Sequence, residues 1–137
     1  MNINLTETPA ITSPDTIFEV LKALLKDRDE TDIEKEFFYV IGLNTSNRIK
    51  FIEIISIGTI NSTLVHPREV FRVSIIKSAT SIILAHNHPS GNTSPSENDI
   101  KITRKLTDAG LIIGINVTDH IIFTDQKYLS FKEQYLI

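Results

Sequence analysis

Two histidines one residue apart, His86 and His88, follow the apolar stretch SIILA at 81–85, and a serine and an aspartate come after them at Ser96 and Asp99. Residues two apart on an extended chain point to the same face, so these two imidazoles can converge on one ion. Between the pairs lie Pro89 and Gly91, which turn the chain, and Asn87 and Ser90, which read as residues that shape the loop. Ser96 and Asp99 are i and i+3 at what reads as a helix start, so they share a face. Asp99 then offers a third ligand. Three protein ligands and one open position for water is the catalytic zinc arrangement, as opposed to the closed four-ligand structural one. Each piece also has a plain reading. A buried histidine is usually a hydrogen-bonded core residue, and Ser and Asp are common in first helical turns. The joint pattern, HxH followed after seven residues by SxxD, is what is specific.

The rest of the composition narrows the metal chemistry. The chain has 137 residues and no cysteine, which excludes disulfides, thiolate zinc or iron–sulfur sites and a cysteine nucleophile. Any metal must be held by nitrogen and oxygen. The net charge of −3 gives no basic bias of the kind a nucleic-acid binder shows, which argues against direct nucleic-acid binding; Arg68 with Arg72 and Arg104 with Lys105 read as solvated helix faces. No apolar run approaches the ~20 residues of a membrane span, and the N-terminus lacks the pattern of a secretory signal. A cytoplasmic location is the expectation. Oligomeric state is not legible.

The elements that must position these residues alternate. Residues 1–12 read as a loose lead-in and 13–137 as one domain. Ser13-Pro14 reads as an N-cap and first helical position, opening a helix to about Lys26 with Ile17, Phe18, Leu21, Leu24 and Leu25 on one face. Phe37 to Leu43 and Ile49 to Ile57 read as a hairpin across the turn cluster Asn44-Thr45-Ser46-Asn47. His66-Pro67 starts a helix with Val70, Phe71, Ile75 and Ile76 as its stripe. Ser94-Pro95 reads as the next N-cap, and Gly110 as the end of that helix. Leu111 to Val117 and Ile121 to Phe123 read as two further strands. The expected fold is an α/β sandwich, a mixed, mostly antiparallel sheet of about six strands flanked by helices.

These strings resemble the JAMM motif of the JAB/MPN metalloprotease family, and within it the RadC-like branch. HPREVFR at 66–72, ILAHNHPSGNTSPSENDI at 83–100, DHIIF at 119–123 and YLSF at 128–131 carry the resemblance, which runs from about residue 30 onward. It implies that His86, His88 and Asp99 are zinc ligands, and that Ser96 hydrogen-bonds the tetrahedral intermediate. It also implies that a glutamate at the start of an early strand is the general base, the position that Glu36 matches. The residues alone do not choose Glu36 over Glu34, Glu53 or Glu69. Asp119 and His120 read as a supporting pair, in which Asp119 orients His120 or His120 stands behind a ligating histidine. His66 reads as a cap or rim residue. RadC proteins often carry a helix-hairpin-helix region, for which the length leaves no room.

The implied activity is zinc-dependent hydrolysis of a peptide or isopeptide amide in a peptide or protein substrate. Zinc activates water, Glu36 takes its proton and returns it to the leaving amine, and Ser96 donates to the developing oxyanion. The alternatives are a non-catalytic MPN-type interaction module and an accessory role in DNA repair. Two lookalikes fall away. Adjacent His-Asn-His is not the scattered set of an HNH nuclease. The zinc deaminases need H-x-E and P-C-x-x-C, which a chain without cysteine lacks.

Overall fold

The computed structural model describes residues 10–29, 32, 34–60 and 64–137. Helix α1 spans Pro14–Lys26, strands β1 and β2 span Phe37–Leu43 and Ile49–Ile57, and helix α2 spans Pro67–Ile76. Strand β3 spans Ser81–Asn87, helix α3 Glu97–Ile113, strand β4 Asn116–Phe123 and strand β5 Tyr128–Ser130. They build one five-stranded sheet in the order β2-β1-β3-β4-β5. Three of its four pairings are antiparallel, and β3 with β4 is parallel, joined through α3.

Both faces of the sheet are covered, which explains why β1 is apolar at every position. Phe37, Tyr39, Ile41 and Leu43 face α1, where they meet Ile17, Leu21 and Leu24 together with Ile83, Ala85, Ile121 and Phe123. Phe38 and Val40 face the other way, with Ile82 and Leu84, against Val70 and Phe71 of α2 and Ile102 and Leu106 of α3. A strand buried on both faces loses the apolar–polar alternation of a half-exposed one. Gly42 lies opposite Phe51, whose ring occupies the space a Cβ would need. Of the expected lead-in, residues 1–9 lie outside the described residues. Ile11 is tied down, donating its N–H to the Asn47 carbonyl at 2.8 Å.

Four readings change. The strand count is five, not about six, because Asn116–Phe123 is a single strand. Leu111 to Ile113 belong to α3, where Leu111 and Ile112 point outwards, and an apolar run on an exposed helical turn imitates a strand. The helix therefore runs past Gly110 and ends at Gly114, whose φ of 88° is the left-handed conformation a C-cap requires. Gly110 is needed for contact instead, since a Cβ there would sit 2.5 Å from the Ile115 carbonyl oxygen. Helix α3 begins two residues later than Ser94-Pro95 implies, with Ser96 as N-cap and Glu97 as its first residue. In α2 the buried face is Val70, Phe71 and Ser74, while Ile75 and Ile76 are exposed.

Candidate metal centre

Strand β3 carries His86 and Asn87 on its last two positions and releases His88 into the turn, where His88 N–H still bonds the Phe123 carbonyl. The loop closes through Gly91, at φ 86°, and through the Asn92 N–H, which donates to Ser90 Oγ at 3.3 Å. Helix α3 then starts on a capping box. Ser96 Oγ accepts the Asp99 N–H at 3.0 Å, and Asp99 Oδ2 accepts the Ser96 N–H at 2.8 Å. This reciprocal pair satisfies two backbone donors that a helix start otherwise leaves free. It also turns the Asp99 carboxylate inward, where it is buried.

The structure brings His86, His88 and Asp99 together. His86 Nε2 and His88 Nε2 are 2.9 Å apart, and the Asp99 carboxylate lies 3.2 Å from the first and 3.3 Å from the second. Counting protons shows what kind of group this arrangement accepts. His88 Nδ1 faces the Asn92 carbonyl at 2.7 Å, and a carbonyl only accepts, so Nδ1 carries the hydrogen and Nε2 the lone pair. His86 Nδ1 is likewise engaged, 2.8 Å from His120 Nε2, which leaves His86 Nε2 as the nitrogen that faces His88 and Asp99. Two ring nitrogens and a carboxylate oxygen thus converge on one point, an arrangement that a cation or a proton between them satisfies. A tetrahedral zinc ion with bonds of about 2.0–2.1 Å spaces its ligand atoms about 3.3 Å apart, close to the separations found. The donor set of two imidazoles and one carboxylate suits zinc chemically.

Without a metal, the proton is the competing occupant. The hydrogen bond to Asp99 raises the His88 pKa above the usual imidazole range, against a lowering by burial, and the Asn92 carbonyl and the Glu36 charge add to the rise. Burial would raise the Asp99 pKa, but its hydrogen bonds to His86 and His88 hold it well below the usual carboxylate range. His120 is fully buried, and desolvation with the nearby His86 keeps its pKa far below that of a free imidazole, so its ring is neutral.

Glu36 immediately precedes β1, half-buried, with Oε2 accepting the Ile60 N–H at 3.3 Å and its carbonyl accepting the Gly58 N–H. Glu34 is exposed, Glu53 pairs with Lys77 at 3.9 Å on β2, and Glu69 pairs with Arg72 at 3.4 Å on α2. Glu36 is the one of the four whose charge is felt at His88. Its position is held by Asn87, whose role is larger than shaping the loop. Asn87 Oδ1 accepts the Phe37 N–H at 2.7 Å and Nδ2 donates to the Lys35 carbonyl at 2.9 Å, gripping the backbone on both sides of Glu36. Ser96 is exposed at the rim. His66 is the N-cap of α2 without a side-chain cap bond.

Asp119 does not orient the His120 ring. Its Oδ1 accepts the His120 backbone N–H at 2.7 Å and the Lys132 N–H at 3.0 Å, and its Oδ2 accepts the Ser130 hydroxyl at 2.6 Å. Neighbouring residues on a strand point to opposite faces, so Asp119 braces β5 while the His120 ring reaches His86. The residue the sequence did not single out is Thr103, one turn after Asp99 on α3, whose hydroxyl lies 2.5 Å from His120 Nδ1. Its only sequence signal is the i+4 spacing from Asp99.

No helix among the described residues is long and apolar enough to cross a membrane. A family model described as a RadC-like JAB domain matches residues 11–136. Among curated proteins, a UPF0758 protein of Desulforamulus reducens is 53% identical over 109 residues, 80% of this chain and 48% of its own length. A UPF0758 protein of Caldanaerobacter subterraneus is 45% identical over 128 residues, 93% of this chain and 53% of its own. One from Methanosarcina mazei is 40% identical over 124 residues, 90% of this chain and 52% of its own length. The chain spans about half the length of the curated relatives it matches.

Proposed function

The chain belongs to the RadC-like JAB domain family, and from that premise we propose that it is a zinc-dependent hydrolase of the JAMM type, cleaving a peptide or isopeptide amide in a peptide or protein substrate. The observation that carries this reading is the convergence of the His86 and His88 Nε2 atoms with the Asp99 carboxylate at 2.9–3.3 Å. His86, His88 and Asp99 would hold the ion. When bound, zinc supplies Lewis acidity and lowers the pKa of water there to near ~7.

The side chains of this protein do the rest. Glu36 takes the proton of the attacking water and delivers it to the leaving amine; a positioned base of this kind contributes about 10²–10⁴-fold. Asn87 holds the Glu36 backbone on both sides, so the base is referenced to the same strand that carries the histidines. Ser96 spends only its lone pair in the capping box. Its own hydrogen stays free to donate to the oxygen of the substrate carbonyl, a contact worth about 10²–10³-fold in rate.

The test is a mixture of synthetic peptides incubated with zinc-loaded protein and read by mass spectrometry for new termini. Wild type is expected to generate cleavage products that Glu36→Gln and His88→Ala do not. Products of equal yield from Glu36→Gln would contradict the assignment of the base. Zinc binding without any product, unchanged by Glu36→Gln, would favour a non-catalytic interaction module.

A further inference from the structure

Behind the candidate metal centre Thr103 and His120, two buried polar residues to which the proposed hydrolysis gives no role, link Asp99 to His86. The Thr103 hydroxyl lies 2.7 Å from the Asp99 carbonyl oxygen and 2.5 Å from His120 Nδ1. His120 Nε2 lies 2.8 Å from His86 Nδ1. His86, Thr103 and His120 are each no more than 1% exposed, and Asp99 3%. The rings of Phe38 and Phe131 enclose His120, with centroids at 5.6 and 4.6 Å. A buried imidazole with two partners has one possible proton arrangement once the partners' donors are counted.

The count starts at the Asp99 carbonyl, which can only accept. The single hydroxyl hydrogen of Thr103 is therefore spent on it, and toward His120 the Thr103 oxygen can only accept. His120 then carries its hydrogen on Nδ1. Its Nε2 is a bare lone pair and accepts the hydrogen of His86 Nδ1. His86 Nε2 is left without a hydrogen, on the side where His88 and Asp99 converge. The circuit closes on itself, since Asp99 anchors Thr103 through its backbone and faces His86 Nε2 through its carboxylate at 3.2 Å.

We infer that Thr103 and His120 are positioning residues for the metal. They lock His86 in the tautomer whose Nε2 is free to ligate, and they tie that choice to the helix turn that delivers Asp99. Histidine ligands commonly donate their second N–H to a carboxylate or carbonyl. Here the acceptor is a neutral imidazole, so the Asp99 carboxylate is the only anion of the circuit. Threonine at 103 is required because a hydroxyl alone can donate to the Asp99 carbonyl and accept from His120 at once. Valine keeps the shape and removes both bonds. His120 Nδ1–H is then without an acceptor, and the ring gains nothing from keeping its hydrogen there. Both tautomers of His120, and through it of His86, become populated.

The inference rests on the metal-binding reading of His86, His88 and Asp99, but its test separates the two. Long-range proton–nitrogen spectra of the zinc-free protein, above the range in which His88 is protonated, report which nitrogen of His86 carries hydrogen. Wild type is expected to show hydrogen on Nδ1; hydrogen on Nε2 overturns the relay, whatever any variant does. Zinc affinity is then measured by competition with a chromophoric chelator, using zinc alone as the probe. Thr103→Val is expected to weaken zinc by about 10–100-fold and to mix the His86 tautomers, and Thr103→Ser to restore both within about threefold. Thermal melts of the zinc-free variants establish that the fold is retained. A folded Thr103→Val protein with wild-type zinc affinity and an unchanged His86 tautomer refutes the inference. Wild type that takes up no zinc defeats the metal-binding reading, while the spectra still decide the relay.

Discussion

Ser96→Ala tests whether the capping box is what presents Asp99. The substitution removes Ser96 Oγ, which accepts the Asp99 N–H at 3.0 Å, and leaves the backbone bond from Ser96 N–H to Asp99 Oδ2 in place. Losing an N-cap side chain costs about 0.5–2 kcal/mol. Asp99 is only 3% exposed, so water replaces the lost partner poorly and the cost belongs in the upper half of that range, about 1–2 kcal/mol. For a chain of this size 1 kcal/mol moves the melting temperature by about 3–5 °C. In chelator-treated protein, the melting temperature read by circular dichroism is expected to fall by about 3–10 °C for Ser96→Ala and to change little for Ser96→Thr, which keeps the hydroxyl. In the peptide assay Ser96→Thr should also retain product formation, whereas Ser96→Asp, which caps but cannot donate, should not. A Ser96→Ala protein that melts with wild type, or a Ser96→Asp protein as active as wild type, refutes the reasoning about the cap or about the donor respectively.

Further outcomes follow from single contacts. Asn87→Ala leaves the buried Phe37 N–H without an acceptor, a loss of about 1–3 kcal/mol, and hydrogen exchange should quicken at the Phe37 amide while the β3–β4 amides stay protected; unchanged exchange at Phe37 would contradict the grip on β1. Gly110→Ala gains helix propensity of about 1 kcal/mol but places a Cβ 2.5 Å from the Ile115 carbonyl oxygen, so net destabilisation of about 1–3 kcal/mol is expected, and a stabilised variant would contradict it. The raised His88 pKa stabilises the metal-free fold below the unfolded value of about 6.5, and that contribution disappears as pH rises through the folded value. Zinc competes for the same lone pair, so its affinity, read by chelator competition, should increase by up to about tenfold per pH unit until His88 is neutral. A flat profile from about pH 6 to 8 would sink this account of the proton.

How far the sequence carried depends on how local each signal is. Helix α1, read as running to about Lys26, was legible because a Ser-Pro start and a 3.6-residue apolar period agree there. The hairpin of β1 and β2 was legible because two apolar runs flank a turn cluster. The start of α3 was read two residues early, because Ser94-Pro95 carries the local signal of a cap and first helical position, whereas the bond from Asp99 N–H to Ser96 Oγ makes Ser96 the cap. Leu111 to Ile113 misled because exposed apolar residues on a helix end look like a strand when burial is unknown. At the site, the HxH and SxxD spacings placed four side chains on two short segments. The parts that depend on pairing between distant strands were not legible. The Asn87 grip on Lys35 and Phe37 follows from the register of β1 against β3, and that His86 is the histidine in front of His120, a place the sequence offered only in general terms, from the parallel pairing of β3 with β4.

The most direct test of the account is the zinc content of purified protein after dialysis against a weak chelator, compared among wild type, His88→Ala and Asp99→Ala. The account predicts one zinc per wild-type chain and none retained by either variant. A wild-type chain without stoichiometric zinc, or a His88→Ala chain that holds as much as wild type, would contradict it.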